Sequence, residues 1–198
     1  MTTSNDQATF AAELMQSRQT ILPKRLVTPG PDAAKLELLL SSAASAPDHG
    51  QLVPWRFVVV PQHARDRLGA VFAASLRLRD SKALPEQLAQ AEEKAHRAPV
   101  LILVVVDVDR ADPTIPSNER IISAGCAIQN ILLMSTALGY GSALTSGKAL
   151  RAAPLRRLFG LASSEIALCF ISIGTAVSRK PARLRPAVAD FVTYLSPE

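Results

Sequence analysis

The order of helices and strands that the sequence predicts is typical of an α+β fold in which helices cover both faces of one sheet. The continuous apolar run Val100 to Val106 and the mainly apolar segment Ile166 to Ile173 both predict buried strands, the first of them buried on both faces. Residues 118–138 are apolar almost all round and end at Gly139, which predicts a helix at the centre of the domain or in a subunit interface. Strands of this kind need a layer of helices on each side.

The other elements follow from apolar periodicity and from the prolines and glycines that interrupt it. Prolines and a glycine argue against regular structure over residues 18–31. The segment 80–96 is highly charged, and the sequence does not decide whether it is a mobile flap. Strand 56–60 contains Val58-Val59-Val60, a run that should be buried. Further helices are predicted over residues 6–17, 32–45, 64–79, 85–96 and 154–159, and further strands over 140–145 and, beyond an arginine- and proline-rich arm, 191–195.

Composition indicates one domain over residues 1–198 and a cytoplasmic protein. The chain is 48% apolar, which is enough for a core, and its longest apolar run is too short to span a bilayer. Residues Met1 to Gln7 lack the apolar stretch of a signal peptide. Cys126 and Cys169 lie far apart in apolar runs, as buried free thiols do in a reducing compartment. We therefore expect no membrane partner.

The charge pattern argues against a nucleic-acid-binding protein, and the missing motifs argue against several common enzyme classes. The net charge is +5, but no basic stripe with interleaved aromatic residues accompanies it, so we expect no nucleic-acid partner. No strand is followed by a GxGxxG that opens a helix, and Walker A, HExxH and GxSxG motifs are also absent from the sequence. The basic residues then form either a solvated edge or a patch that faces a phosphorylated small molecule.

Two segments near the start of the chain could bind a ligand, and each has an ordinary structural alternative. Arg18-Gln19-Thr20 places a guanidinium and a hydroxyl together, which suits a phosphate; the alternative is a solvated arginine beside a helix end. The loop 46–55 precedes a strand and carries His49 and the single tryptophan, Trp55. Its alternative is a rigid turn with a buried Trp55 and a structural His49.

For two later segments the sequence also allows either a ligand site or an ordinary structural role. Leu144 to Gly147 ends a predicted strand with small polar residues, and such ends form ligand sites as well as ordinary turns. The arm carries Arg183 and Arg185, which either bind an anion or are solvated.

In their order along the chain, these segments resemble the motifs of the nitroreductase superfamily, and in particular its small single-domain NAD(P)H nitroreductase branch. The resemblance covers about residues 14 to 195, and the ordered set is more specific than any single motif. The matching segments are Arg18-Gln19-Thr20, Ala46-Pro47-Asp48-His49 before Pro54-Trp55-Arg56-Phe57, Ser123-Ala124-Gly125-Cys126-Ala127, Gly139-Tyr140-Gly141 and Phe191-Val192-Thr193-Tyr194.

The resemblance implies a three-layer α/β/α fold with a mostly antiparallel central sheet, and a homodimer whose subunits exchange a C-terminal arm of about residues 178–198. It also implies FMN at the subunit interface, NAD(P)H as co-substrate, no metal and no covalent catalytic residue. The implied FMN-binding residues are Arg18, Gln19 and Thr20 at the phosphate and ribityl chain, Ser45, Pro47, His49 and Gln51 along the ring, Leu144, Thr145, Ser146 and Gly147 on its other side, and Arg183 or Arg185 at the phosphate.

Some positions depart from the pattern of the family. Leu22 stands where many relatives have a second basic residue, so Lys24, Arg25, Arg183 or Arg185 must complete the phosphate site. Gln51 and Val53 stand where many relatives have Asn and Gln, which removes or relocates a hydrogen bond at the ring edge. Leu144-Thr145 replaces a common Trp-Arg pair; the pocket is then less positive, and the acceptor should differ.

The implied activity is a ping-pong reaction in which hydride passes from NAD(P)H to the bound flavin. Electrons then pass to a small electron-poor acceptor, a nitroaromatic or a quinone. The sequence leaves the physiological acceptor and the choice between NADH and NADPH open. The alternative function is a non-catalytic flavin-binding protein, either a reservoir or a redox sensor.

Overall fold

The computed structural model describes residues 4–179, 181 and 184–196, and within them a five-stranded sheet lies between two layers of helices. The predicted three-layer α+β architecture is confirmed. The strands are β1 (Leu26–Val27), β2 (Trp55–Val59), β3 (Val100–Asp107), β4 (Gly141–Thr145) and β5 (Glu165–Ala176). The helices are α1 (Ser4–Ser17), α2 (Ala33–Ser42), α3 (Arg65–Arg79), α4 (Pro85–Glu93), α5 (Ser117–Ala137) and α6 (Ala153–Leu158).

Neighbouring strands of this sheet run antiparallel, as predicted. β3 lies between β2, where Trp55 is opposite Val106, and β5. β4 pairs with residues 170–174 of β5, on the edge of β5 that β3 does not occupy. β1 pairs with the C-terminal end of β5. An isolated parallel bridge, between Thr20 and Ser142, ties the segment after α1 to β4.

The side chains of β3 divide the core into two layers. Ile102, Val104 and Val106 pack with α2 and α5, whereas Leu101, Leu103 and Val105 pack with α3 and α6. All six are buried, as the continuous apolar run predicts. Because side chains alternate across a strand, this single segment supplies both faces of the sheet.

Helix ends also follow sequence signals. Asp32 caps α2, because its Oδ1 accepts a hydrogen bond from Lys35 N at 2.9 Å. Gly139 ends the central helix α5 with φ of +83°, a left-handed conformation that glycine adopts without a steric penalty. Among the helices within the described ranges, none is long and apolar enough to cross a membrane.

The structure corrects several expectations. Leu26–Val27 forms strand β1 inside a segment for which no regular structure was predicted, because its pairing partner lies about 150 positions away in β5. Val59 is 36% exposed rather than buried, since β2 is an edge strand. Residues 191–195 are not a strand within the chain. The charged helix α4 packs on α3 and buries Ala91, so it is part of the helical layer.

Candidate functional site

A cavity of 310 Å³ lies between the end of α1 and the C-terminal arm. We call it the arginine cavity, because Arg18, Arg25 and Arg185 line it together with Gln19 and Thr20. Four of these residues are predicted site residues, and Arg25 is one of the cations predicted to complete the phosphate site. Lys24 is not part of its lining, so Arg25 and Arg185 are the cations that join Arg18 there. Arg183 lies outside the described residues.

Backbone contacts hold this segment against the sheet. Ile21 N donates to Ser142 O at 2.9 Å, next to the bridge between Thr20 and Ser142. Arg185 Nη2 donates to the carbonyl oxygen of Arg18 at 3.0 Å, which ties the arm to the other side of the cavity. The buried Oγ of Ser142 has no hydrogen-bond partner among the described residues. The start of β4 therefore fixes where Arg18 and Thr20 lie.

The arginine cavity carries uncompensated positive charge. Within the described ranges, no carboxylate forms an ion pair with Arg18, Arg25 or Arg185. Guanidinium groups present pairs of N–H donors in a fork that matches phosphate oxygens, and the Thr20 hydroxyl adds another donor. This donor set fits a phosphate monoester.

A second cavity, of 460 Å³, shares Leu22 with the arginine cavity. We call it the phenylalanine cavity, because Phe72 and Phe170, whose ring centroids lie 5.7 Å apart, line its apolar wall. Thr145, Ser146 and Gly147, three of the four strand-end residues that the sequence selected, also line it. Leu144 lies on β4 just before them and is exposed.

The phenylalanine cavity is lined by four cations that the sequence reasoning missed, Arg79, Lys94, Arg97 and Lys148. Arg97 is paired with Glu93 at 2.5 Å, but Arg79 and Lys94 form no ion pair within the described ranges. Lys94 and Arg97 lie in the turn between α4 and the buried strand β3, and cations this close to a buried strand are a signal that could have found them. Leu22, which also lines this cavity, stands where many relatives have a basic residue, and Lys94 supplies a positive charge in the same cavity.

The loop 46–53 is the third group of predicted residues, and it lines a different cavity of 620 Å³ beside Trp55. Its backbone is strained: Gly50 has φ of +71°, and Gln51 and Val53, at +51° and +45°, adopt a conformation that non-glycine residues rarely take. Asp48 Oδ2 accepts a hydrogen bond from Val53 N at 2.6 Å. Trp55 is 8% exposed, so the burial of this ring, which belonged to the structural alternative for the loop, is observed.

Helix α5 holds the loop from beneath. Ser123 Oγ donates to Pro47 O at 2.6 Å, and Glu119 Oε2 lies 2.7 Å from His49 Nδ1. Pro47 and His49 nevertheless expose their side chains, as do Ser45 and Gln51. The loop is thus fixed by its own chain and presented outward.

Arg120 orders the segment that packs on this loop. Its buried guanidinium donates to the carbonyl oxygens of Asp112, at 2.6 Å, and of Arg110 and Ile115. Ile115 in turn lies against Gly50, where a Cβ would come within 2.8 Å of its Cδ1. Sequence reasoning did not select Arg120, because nothing in the local pattern distinguishes it from a solvated arginine.

The predicted site residues described by the structure therefore form three groups in this chain. Arg18, Gln19, Thr20 and Arg185 meet in the arginine cavity, and Thr145, Ser146 and Gly147 lie in the adjoining phenylalanine cavity. The exposed loop with Ser45, Pro47, His49 and Gln51 lines a separate cavity, to which only Gln51 of the four contributes.

Comparisons with known proteins agree on one family. The family model described as "Nitroreductase family" matches residues 17–175. A Haemophilus influenzae protein named "Putative NAD(P)H nitroreductase" is 35% identical over 173 residues, which cover 87% of this chain and 93% of that protein.

Solved structures share the fold. A nitroreductase-like family protein from Bacillus cereus has a TM-score of 0.79 at 18% identity and covers 100% of both chains. A mutant of an FMN and NADPH-dependent nitroreductase from Sphigopyxis sp. has a TM-score of 0.73 at 20% identity, with 94% of this chain and 99% of that chain covered. At these identities the likeness concerns the fold alone.

Proposed function

The chain belongs to the Nitroreductase family, and from that premise we propose that it is an FMN-dependent oxidoreductase that uses NAD(P)H to reduce a small electron-poor acceptor. One observation of this structure carries the proposal. A cavity rich in guanidinium groups adjoins a larger cavity with an apolar wall, and Leu22 lines both. FMN has a phosphate at one end and a flat ring system at the other, so its two ends match the two cavities.

The residues present fit this cofactor. Arg18, Arg25, Arg185 and the hydroxyl of Thr20 would hold the phosphate, with Gln19 beside the ribityl chain. The ring would lie in the phenylalanine cavity, next to the end of β4 and the turn Thr145-Ser146-Gly147, with Leu144 at its border. When bound, FMN supplies the ability to accept hydride from NAD(P)H and to pass the electrons on.

The protein groups orient the ring and set its electrostatics. Lys94 places a cation in the phenylalanine cavity, and the backbone N–H groups of the turn after β4 add fixed dipoles. Fixed positive groups stabilise negative charge that develops on a bound ring, without reorganising during the reaction. Phe72 and Phe170 exclude water from one wall. The electron-poor acceptor, a nitroaromatic or a quinone, would approach from the open side.

The loop 46–53 would contact FMN from a second subunit. In the single chain, Ser45, Pro47, His49 and Gln51 are exposed, while α5 holds the loop in one conformation. We therefore propose a homodimer in which each loop completes the site of the other subunit.

Exposed apolar side chains support such a dimer. Phe10 of α1, Ile122 of α5 and Phe191 of the arm are 63%, 62% and 66% exposed in the single chain. The arm of about residues 178–198 would extend to the partner, where residues 191–195 would pair as a strand, while Arg185 stays in the arginine cavity of its own chain. Truncation after Pro186 should then weaken the dimer in sedimentation experiments, and an unchanged, flavin-loaded dimer would exclude the exchange. One domain over residues 1–198 and a cytoplasmic location stay predictions.

Spectra of the purified protein test the proposal. The wild-type protein should bind FMN and show its visible absorption bands, and anaerobic NADH or NADPH should bleach them. Arg18→Gln should lose about tenfold or more in FMN affinity, because it removes a charge-assisted contact to the phosphate. Arg77→Gln, an equal change of charge on an exposed residue of α3, is the matched control.

Two outcomes would contradict the proposal in different ways. Failure of the wild-type protein to bind FMN, even when FMN is added, would exclude the cofactor. Binding without bleaching by either nicotinamide would support the alternative of a flavin-binding reservoir or redox sensor.

A further inference from the structure

A third positively charged cavity adjoins the proposed ring site. It has a volume of 710 Å³ and shares Ser146, Gly147, Lys148 and Leu150 with the phenylalanine cavity. We call it the Lys148 cavity. Its other cations are Arg151 and Arg156. It is separate from the arginine cavity, which already accounts for the single phosphate of FMN.

Two of the three cations that line the Lys148 cavity have no carboxylate partner within the described ranges. Lys148 and Arg151 are exposed, and neither forms an ion pair within the described ranges. Arg156 donates instead to two backbone carbonyl oxygens, those of Glu165 at 2.8 Å and Ala162 at 2.5 Å. The Glu165 carboxylate is paired with Arg56 at 2.6 Å and also lies close enough to Arg156 to interact with its charge, so Lys148 and Arg151 are the cations without a carboxylate partner.

The floor of the Lys148 cavity is apolar. Ile166, Ala167 and Leu168 of β5 form it together with Leu150. This part of β5 has a free edge, because β4 pairs only with residues 170–174. An apolar floor under a cationic rim suits a ligand that combines a flat apolar group with phosphates, as an adenine nucleotide does.

We propose that the Lys148 cavity binds the phosphate-bearing adenosine part of the nicotinamide dinucleotide, and that Lys148 and Arg151 give the protein a preference for NADPH over NADH. This inference rests on the proposed function, which requires a dinucleotide to approach the turn Ser146–Gly147. Both dinucleotides carry the pyrophosphate, but only NADPH carries the 2′-phosphate, which adds between one and two negative charges at neutral pH. An uncompensated cationic rim favours the more negative ligand.

Binding of nucleotide fragments to the FMN-saturated full chain tests this directly. Saturation with FMN fills the arginine cavity, so a phosphate fragment cannot report on that site. Adenosine 2′,5′-bisphosphate stands for the NADPH side and ADP for the pyrophosphate that both dinucleotides share. Calorimetric titration compares the wild-type protein with Lys148→Gln, Arg151→Gln and the double variant; Arg77→Gln, which lines none of the cavities described, is the control for net charge.

Each single variant should bind adenosine 2′,5′-bisphosphate roughly threefold more weakly, and the double variant roughly tenfold, as expected for contacts to partly exposed cations. The effect should shrink at high ionic strength. A larger loss for the bisphosphate than for ADP assigns the cations to the 2′-phosphate, whereas equal losses would assign them to the shared pyrophosphate and would overturn the preference for NADPH. Equal affinity of the wild-type protein and the double variant for the bisphosphate would overturn the proposal.

A second measurement separates this inference from the proposed function. In anaerobic stopped-flow experiments, the apparent Kd for NADPH should rise in the double variant by more than that for NADH. In Arg151→Gln, whose residue lines the Lys148 cavity and not the phenylalanine cavity, the limiting rate of flavin bleaching should stay the same. If neither dinucleotide bleaches the wild-type flavin, the proposed function fails and the fragment titrations still decide the binding site. If both bleach it, and the double variant keeps the wild-type Kd for NADPH, the proposed function stands and this inference fails.

Discussion

Replacing Gly50 by alanine should destabilise the exposed loop by two separable effects. Gly50 has φ of +71°, and an alanine held in that conformation costs about 1 kcal/mol relative to glycine. The added Cβ would also come within 2.8 Å of Cδ1 of Ile115. That methyl is the end of a flexible side chain, so relief by a distorted rotamer costs about 0.5–1.5 kcal/mol more. The expected total is about 1.5–2.5 kcal/mol.

Gly160 offers a matched control for the backbone effect. It has φ of +58°, but a Cβ at this position would meet no heavy atom within 4 Å. Gly160→Ala should therefore cost only the backbone contribution, about 1 kcal/mol. Urea unfolding should give unchanged m-values and a difference of about 0.5–1.5 kcal/mol between the two variants. In a chain of this size the difference corresponds to roughly 1–6 °C in melting temperature.

The contact with Ile115 can be tested by deleting the methyl group. Ile115→Val removes Cδ1, so the double variant Gly50→Ala/Ile115→Val should be more stable than the sum of the single effects predicts. Because the loop is proposed to reach the flavin of the partner, Gly50→Ala should also weaken FMN binding, whereas Gly160→Ala should not. Equal losses of stability in both alanine variants, with additive behaviour in the double variant, would refute the role given to Ile115.

Three further predictions concern buried and paired groups. Arg65→Met should lower the free energy of unfolding in urea by about 2–3 kcal/mol or more. The guanidinium of Arg65 is 1% exposed and donates only to backbone carbonyl oxygens, which would lose their partner. Arg67→Met, at an exposed residue of the same helix, is the control and should change the free energy little. The pKa of Glu165 is lowered, chiefly by its hydrogen bond from Arg56. The pair therefore stabilises the fold at pH values above the ordinary carboxyl pKa of 4.5, and this stabilisation is lost as the pH falls below 4.5. Arg56→Gln should accordingly lower stability at pH 7 and flatten its decline under acid, which urea midpoints from pH 7 to pH 3 would measure; parallel curves would contradict the pairing. Burial raises the pKa of the Cys169 thiol to about 11, so iodoacetamide at pH 8 should leave Cys169 unmodified until the protein is unfolded, as peptide mass mapping would show.

Sequence patterns located most elements of this fold because burial leaves a local signature. The run from Val100 to Val106 is apolar at successive positions, and only a strand covered on both faces needs that pattern. Strand β1 leaves no such signature, since two residues carry no periodicity and their partner is distant in sequence. Arg65 and Arg120 were missed for a related reason. Their partners are backbone carbonyl oxygens, which every residue carries, so no residue type in the sequence marks a buried arginine.

The candidate site was predictable only in part. The triplet Arg18-Gln19-Thr20 is chemically suited to a phosphate, but its companions are set by tertiary structure. Arg185, 167 positions away, donates to the carbonyl oxygen of Arg18, and a local pattern cannot reveal such a contact. Lys94 was passed over because its highly charged surroundings favoured a solvated helix. Its position in the phenylalanine cavity depends on how α4 packs on α3 and α3 packs on β5.

The position of the exposed loop is determined by helix α5 more than by the loop itself. Gln51 and Val53 adopt left-handed backbone conformations that cost of order 1 kcal/mol each, so the loop would relax if nothing opposed it. The opposing contacts come from Ser123 and from Ile115, whose own segment is ordered by Arg120. A loop held in this way loses little conformational entropy when it meets a ligand, and preorganisation of this kind strengthens binding without adding contacts. The resemblance to flavin-binding loops could therefore be recognised from the loop residues themselves. The contacts that fix the conformation of the loop come from residues about 65 positions later in the chain or more, in α5 and in the turn before it.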